Sequence, residues 1–232
     1  MKPPPVSAPE SVVVFDLDDT LFPERDYVES GFRAAGERVE QLFGREGFTS
    51  AALARFNNGE RGKIFDAALG DLRIPASPAA VRELVRVYRE HAPVLTLGDA
   101  EKTLLRELRA SQRRLGIITD GYLEVQKRKV AALGIAPLVD VVIYSDTWGR
   151  EAWKPSARPF RELENALRAP PAQCLYVADN PQKDFIGART AGWRSVRLRL
   201  PNREHSGDVA AGDARPDAEF TSIADLSKHL LG

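Results

Sequence analysis

Two carboxylates two residues apart, Asp16 and Asp18, close an apolar run and are followed by the hydroxyl of Thr20. The run Val12-Val13-Val14-Phe15 is rich in β-branched residues and suits a strand buried on both faces. The acids therefore stand where that strand leaves its sheet, the edge at which open α/β sheets bind ligands. A carboxylate beside a buried strand is costly unless something neutralises it, which implies a cation, a proton or a phosphate-handling site. If the pleat continued unbroken, Asp16 and Asp18 would share a face and repel. A bound Mg²⁺ relieves that repulsion, because it takes oxygen ligands from one or two carboxylates together with phosphate and water. If the chain turns after Asp16, Asp18 can offer its backbone carbonyl to the metal and keep its side chain for proton transfer. Two plainer readings compete. A calcium loop of EF-hand type starting at Asp16 fails, since Leu21 occupies the glycine position and Tyr27 that of the bidentate glutamate. An Asx turn, with Asp18 or Asp19 capping the next helix, suffices for this segment taken alone.

The elements that would position these residues follow from hydrophobic periodicity. Residues 27–43 repeat apolar side chains at helical spacing through Val28, Phe32, Ala35, Val39 and Leu42, with Gly44 as a stop. Helices are also predicted over 51–56, 64–69 and 79–90, the last introduced by Ser77-Pro78. From Asp99 the pattern alternates: helix 101–110, strand 115–119, helix 123–133, strand 139–144, helix 159–167, strand 174–178, helix 184–191 and strand 195–198. After a polar loop over 207–216, a last helix spans 221–231, capped by Thr221 or Ser222. Alternation of this kind implies parallel βαβ units with right-handed crossovers. The predicted fold is α/β: a Rossmann-like core of residues 10–22 and 98–232 with helices on both faces, interrupted by a small helical cap over 23–97. Residues 1–9, rich in proline, read as a disordered lead-in without the apolar core of a signal peptide.

Polar residues recur wherever a predicted strand finishes. Ile117-Ile118 lead into Thr119-Asp120-Gly121, residues 174–178 lead into Asp179-Asn180 with Asp184 beyond, and Lys154-Pro155 follows the third strand. In a parallel sheet these ends share one edge and converge. Their types are complementary: Asp16, Asp18 and Asp179 suit a metal, and Thr119 and Lys154 suit phosphate oxygens. A lysine there also balances the carboxylate charge.

On these motifs the chain resembles the haloacid dehalogenase superfamily, in the phosphatase branch that carries a helical cap between its first two motifs. The matching stretches are Phe-Asp16-Leu-Asp18-Asp-Thr20-Leu, Ile-Thr119-Asp120-Gly121, Lys154-Pro155 and Ala-Asp179-Asn180-Pro-x-x-Asp184 with Gly187-Ala188 and Gly192. The resemblance implies a Mg²⁺-dependent phosphomonoester hydrolase. Asp16 would attack phosphorus to give an aspartyl phosphate, and Asp18 would protonate the leaving group and then activate water. Thr119 and Lys154 would hold the phosphoryl oxygens, and Asp16, the Asp18 carbonyl and Asp179 would bind the metal. Asp184 would orient metal-bound water or Lys154, Asn180 could contact the metal shell, and Asp120 and Gly121 would shape their loop through backbone amides. Ala178, where glycine commonly precedes the metal aspartate, and bulky Trp153 before Lys154 depart from the family pattern without removing a catalytic group.

Composition narrows the partners. Lys+Arg and Asp+Glu both number 33, so no global field favours nucleic acid or an acidic membrane. Arg106, Arg109, Arg113 and Arg114, interleaved with Glu101 and Glu107, read as a solvated helix face. The single cysteine, Cys174, excludes an intramolecular disulfide and reads as a buried small hydrophobe, and three scattered histidines give no zinc spacing. No stretch is long and apolar enough to span a membrane, so the cytoplasm is the expected compartment. The expected substrate is a small phosphorylated metabolite, and nothing specifies an oligomeric state. Substrate choice would fall to the cap, with Arg61 and Lys63 in the loop 57–63 as candidate contacts and Tyr27, beside Arg25 and Asp26, as another; a polar turn and a packing aromatic are the plainer readings. A sugar phosphomutase and a haloacid dehalogenase are the alternatives, the second disfavoured because it needs neither Asp18 nor Asp179.

Overall fold

The computed structural model describes residues 11–232. The lead-in expected over 1–9 lies outside them. In chain order the elements are β1 (Val12–Phe15), α1 (Glu24–Phe43), α2 (Phe48–Asn57), α3 (Ile64–Asp71), α4 (Pro78–Glu90), α5 (Asp99–Ala110), β2 (Arg114–Thr119), α6 (Leu123–Ala132), β3 (Val141–Tyr144), α7 (Arg158–Leu167), β4 (Cys174–Ala178), α8 (Asp184–Ala191), β5 (Arg194–Leu198), β6 (Ala218–Phe220) and α9 (Ile223–Leu231). The described residues form two compact units, one of Glu24–Leu95 and the other of residues 11–23 together with Thr96–Gly232.

The larger unit is built on one six-stranded parallel sheet in the order β3-β2-β1-β4-β5-β6, the expected Rossmann-like arrangement. Its centre is β1, where every residue from Val12 to Phe15 is fully buried, as an all-apolar run between two parallel neighbours requires. Val12, Val14, Tyr176, Phe160, Phe185 and Trp193 belong to the apolar cluster on one side of the sheet. Cys174 lies in the same cluster, and burial pushes its thiol up to about 12.

Several local expectations shift. β6, a three-residue parallel strand, was not expected, because Glu219 at its middle and Pro216 just before it mask the signal. β3 starts at Val141, since Asp140 instead turns its carboxylate to the Leu115 N–H at 2.7 Å. The supposed basic helix face breaks up: α5 ends at Ala110, Arg114 lies in β2, Arg113 donates to the Leu230 carbonyl, and Glu101 is buried. Ser222, rather than Thr221, caps α9 by accepting from the Asp225 N–H. No helix among the described residues is long and apolar enough to cross a membrane.

In the smaller unit, Val28, Phe32, Ala35 and Val39 of α1 pack on Phe48, Ala52, Ile64, Ala68, Leu69 and Leu84. Leu42, expected on the same stripe, is 44% exposed, because the last turn of α1 is solvated all round. Ser77 caps α4 by accepting from the Ala80 N–H at 3.2 Å, and Pro78 takes the first helical position, where no N–H is needed.

Candidate active site

Four loops leave the carboxyl edge of the sheet and bring their polar residues together. The Asp16 N–H still donates to the Val177 carbonyl at 2.8 Å, which holds the first residue past β1 against β4. The chain then turns, with Asp19 at φ 58°, a left-handed conformation that aspartate tolerates. The carboxylate of Asp19 accepts from the Glu204 N–H at 3.1 Å, so the loop after β5 braces this turn.

Lys154 is the hub. Its buried ammonium pairs with Asp16, lies 2.7 Å from Asp184 Oδ1 and donates to the Tyr176 hydroxyl at 2.9 Å. Lys183 reaches the same Asp184 oxygen at 2.9 Å, and Asp184 Oδ2 accepts from the Asn180 N–H at 3.0 Å. The lysine is placed by backbone fit. A Cβ on Gly187 of α8 would come within 2.8 Å of the Ser156 carbonyl and 2.9 Å of that of Pro155, so only glycine lets the helix approach the Lys154–Ser156 loop this closely. Asp120 holds the loop from the other side: its carboxylate accepts from the Lys154 N–H and, at 2.6 Å, from the Ser145 hydroxyl. The Asp120 side chain thus shapes the loop.

Oxygens of Asp16, Asp179 and Asp184 all lie within 4.8 Å of one another and are buried. Burial pushes the Asp16 carboxyl up to about 6, even with Lys154 pulling it down. Burial, reinforced by the charges of Asp16 and Asp184, pushes Asp179 up to about 8. Burial also opposes ionisation of Asp184, but Lys154 and Lys183 outweigh it and hold this carboxyl at about 2. Burial likewise penalises the Lys154 ammonium, yet Asp16 and Asp184 raise it well above the usual lysine range. Asp179 Oδ1 accepts from Thr20 at 3.4 Å, whereas its Oδ2 is buried with no hydrogen-bond partner among the described residues. An oxygen-only donor set with one orphaned carboxylate oxygen fits a hard divalent cation. Asp184, expected behind the metal, has an oxygen inside this group, but both its oxygens are already engaged.

Asp18 stands at the rim, with 19% of its side chain exposed, and accepts from Lys129 at 2.6 Å and from Gln126 at 2.7 Å. Gln126 also donates to the Thr119 hydroxyl. Gly121 takes φ 122°, a backbone state open to glycine, against the Gln126 side chain. Asn180 turns its amide nitrogen to His205 at 2.8 Å, and His205 in turn meets Asp208 at 2.8 Å. Trp153 has a structural place, its indole N–H donating to Asp146 at 2.9 Å.

Asp16, Asp18, Thr119, Asp120, Gly121, Lys154, Asp179, Asn180 and Asp184 therefore share one edge. Tyr27, Arg61 and Lys63 belong to the smaller unit. Tyr27 is buried there, its hydroxyl donating to the Tyr88 carbonyl at 3.1 Å and its ring 5.2 Å from that of His91, so it packs within that unit. Arg61 lies over the Phe56 ring and donates to the carbonyls of Phe56 and Glu60, while Lys63 is exposed. Sequence reasoning missed Tyr176, Lys183, Gln126, Lys129, His205 and Arg197. Arg197, almost fully buried, donates to the Asp179 carbonyl at 2.9 Å, and a charged residue inside a strand pattern was the one signal that could have revealed it.

The model of the haloacid dehalogenase-like hydrolases matches residues 11–192, and the chain belongs to that family. Its relatives place it among the family's phosphatases. It is 32% identical to the phosphoserine phosphatase of Thermus thermophilus over 71% of this chain and 66% of that protein. It is 31% identical to the glyceraldehyde 3-phosphate phosphatase of Pyrococcus abyssi over 80% of this chain and 79% of that one. The fold matches the magnesium-bound putative HAD-hydrolase YfnB of Bacillus subtilis with a TM-score of 0.68 at 19% identity, covering 96% of this chain and 99% of the other.

Proposed function

We propose that the protein is a Mg²⁺-dependent phosphomonoester hydrolase that acts on a small phosphorylated metabolite through an aspartyl phosphate on Asp16. The observation that carries this reading is Asp16 itself: buried, paired with Lys154, and grouped with Asp179, one of whose oxygens lacks any donor among the described residues. With its carboxyl at about 6, Asp16 is ionised at neutral pH and more basic than an ordinary aspartate. Its free oxygen attacks phosphorus as the bond to the leaving oxygen breaks, and Asp18 gives that oxygen a proton. Water then attacks the phosphoryl group, Asp18 takes its proton, and inorganic phosphate leaves with Asp16 regenerated. Thr119 and Lys154 hold the phosphoryl oxygens, and Asp184 fixes Lys154 for that task. Asp16, Asp179 and the Asp18 carbonyl would hold Mg²⁺, which when bound neutralises charge on the transferring group. Asn180, tied to His205 and to Asp184, steadies the loop that carries Asp179.

The relatives named as phosphoserine and glyceraldehyde 3-phosphate phosphatases support a small phosphorylated substrate. The test is phosphate release from a broad phosphomonoester panel with Mg²⁺, repeated with EDTA and with Asp16→Asn. Both changes are expected to abolish turnover. Turnover that survives in Asp16→Asn removes the covalent route. Chloride release from haloacids, or isomerisation of a sugar phosphate without net phosphate release, replaces the hydrolase reading with a dehalogenase or a mutase.

A further inference from the structure

Asp18 is gripped from a helix that carries none of the family's motifs. On α6, Gln126 and Lys129 are three residues apart and so share a face, and both are buried, whereas Lys127 between them is exposed. An amide and an ammonium are costly to bury unless each finds a partner. Both find the same carboxylate, one on each oxygen: Lys129 Nζ lies 2.6 Å from Asp18 Oδ1, and Gln126 Nε2 lies 2.7 Å from Oδ2. Gln126 Nε2 also donates to the Thr119 hydroxyl, so one side chain links Asp18 to the end of β2. A Cβ on Gly121 would come within 3.2 Å of the Gln126 carboxamide, so the loop after β2 is shaped around that side chain.

We infer that Gln126 and Lys129 are positioning residues, which set the plane of the Asp18 carboxyl group for proton transfer. The inference rests on the proposed role of Asp18 as acid and base. A carboxyl group has about four lone-pair positions, and two grips leave room for the leaving oxygen and for water. In the step concerned, the Asp16 oxygen bonds to phosphorus, the ester P–O bond breaks with its electron pair going to the leaving oxygen, and the Asp18 proton moves to that oxygen. Loss of either grip lets the carboxyl group rotate, and the cost falls on substrates whose leaving group must be protonated.

The experiment compares kcat/KM for an alkyl phosphate, whose alkoxide needs a proton as it leaves, with that for a nitrophenyl phosphate, whose phenolate does not. This ratio excludes hydrolysis of the shared intermediate. Gln126→Leu and Lys129→Met are each expected to lower the alkyl value about 10- to 100-fold, a part of what general acid catalysis supplies, and the nitrophenyl value by less than about threefold. Lys129→Arg, which restores a cation, should recover most of the loss. Asp18→Asn is the reference. If Asp18→Asn lowers both esters alike, or neither, the proposed reaction fails. If Asp18→Asn is selective for the alkyl ester while the two helix variants lower both esters equally or leave both unchanged, the positioning inference is overturned. Should Lys129→Met not fold, Gln126→Leu decides the same comparison.

Discussion

The two units bury opposite kinds of residue. In the helical unit of Glu24–Leu95 the interior is apolar and aromatic, with Phe32, Phe48, Phe56, Phe65 and Tyr88 meeting at ring separations of 5.6 to 6.3 Å. Its charges stay outside, in exposed pairs such as Arg86 with Glu83 and Glu90. In the sheet unit the buried polar residues include Asp16, Lys129, Lys154, Asp179, Asp184 and Arg197, whereas among the described residues the helical unit buries only Ser30 and the tyrosine Tyr27 with a side-chain hydroxyl, and no charged residue. The helical core is complete in itself, since apolar surfaces satisfy one another on contact. The sheet unit is not, because Asp16 and Asp179 crowd like charges that its lysines only partly balance. Buried charge left unbalanced marks where a ligand would complete the structure.

That contrast can be tested hardest at Asp16. Asp16→Asn is expected to cut phosphate release by about 10⁴-fold or more, as removal of a nucleophile does. Its thermal midpoint should hold or rise, because a crowded carboxylate is gone, and a large fall in midpoint would mean that Asp16 supports the fold. A pair of substitutions comes next. Lys154→Met leaves Asp16 and Asp184 buried without their main cation and should destabilise by about 3 kcal/mol. Leu84→Ala, in the helical core, should cost about as much through a cavity. Denaturant titrations separate them: the Lys154→Met loss should grow from pH 5 to pH 8 as carboxylates ionise, while the Leu84→Ala loss stays constant. Equal pH dependence would erase the distinction between the units.

Smaller, and specific to the sheet unit, is the response of the metal-free protein to pH. Asp16 and Asp179 are raised from 3.8 to about 6 and about 8, so between those values the folded state holds more protons than the unfolded chain. Stability from these groups is therefore fully present below about pH 4 and is lost as pH rises through 6 and 8. Asp184, held at about 2, works in the opposite sense and loses its contribution only as pH falls through that value. Midpoints measured in EDTA should fall from pH 5 to pH 8, and added Mg²⁺ should restore more at pH 8 than at pH 5. A rising midpoint over that range would show that the carboxylates are not crowded. The smallest effect belongs to the surface: Arg86→Ala breaks two exposed ion pairs and should leave the midpoint unchanged within error.

Much of the fold was legible because its signals are local. The strand Cys174–Ala178 and the helix Asp184–Ala191 are found with the predicted bounds, since an apolar run and a glycine stop need no partner to be recognised. β6 escaped because three residues around a glutamate carry no pattern of their own, and they become a strand only beside β5. In the site, acids at strand ends stood out because each breaks an apolar run. Tyr176 did not, being one aromatic inside such a run, although its hydroxyl meets Lys154.

What the chain determines in one dimension is therefore the identity of the chemical groups and the element each one ends, because steric preference and periodicity act over a few neighbours. What only the folded chain decides is which side chains face them. Gln126 and Lys129 read as ordinary polar positions on an amphipathic helix until β2 and β1 pair and bring α6 against Asp18. The ionisation of Asp16, Asp179 and Asp184 is settled at the same level, since burial and neighbouring charge exist only when distant segments meet.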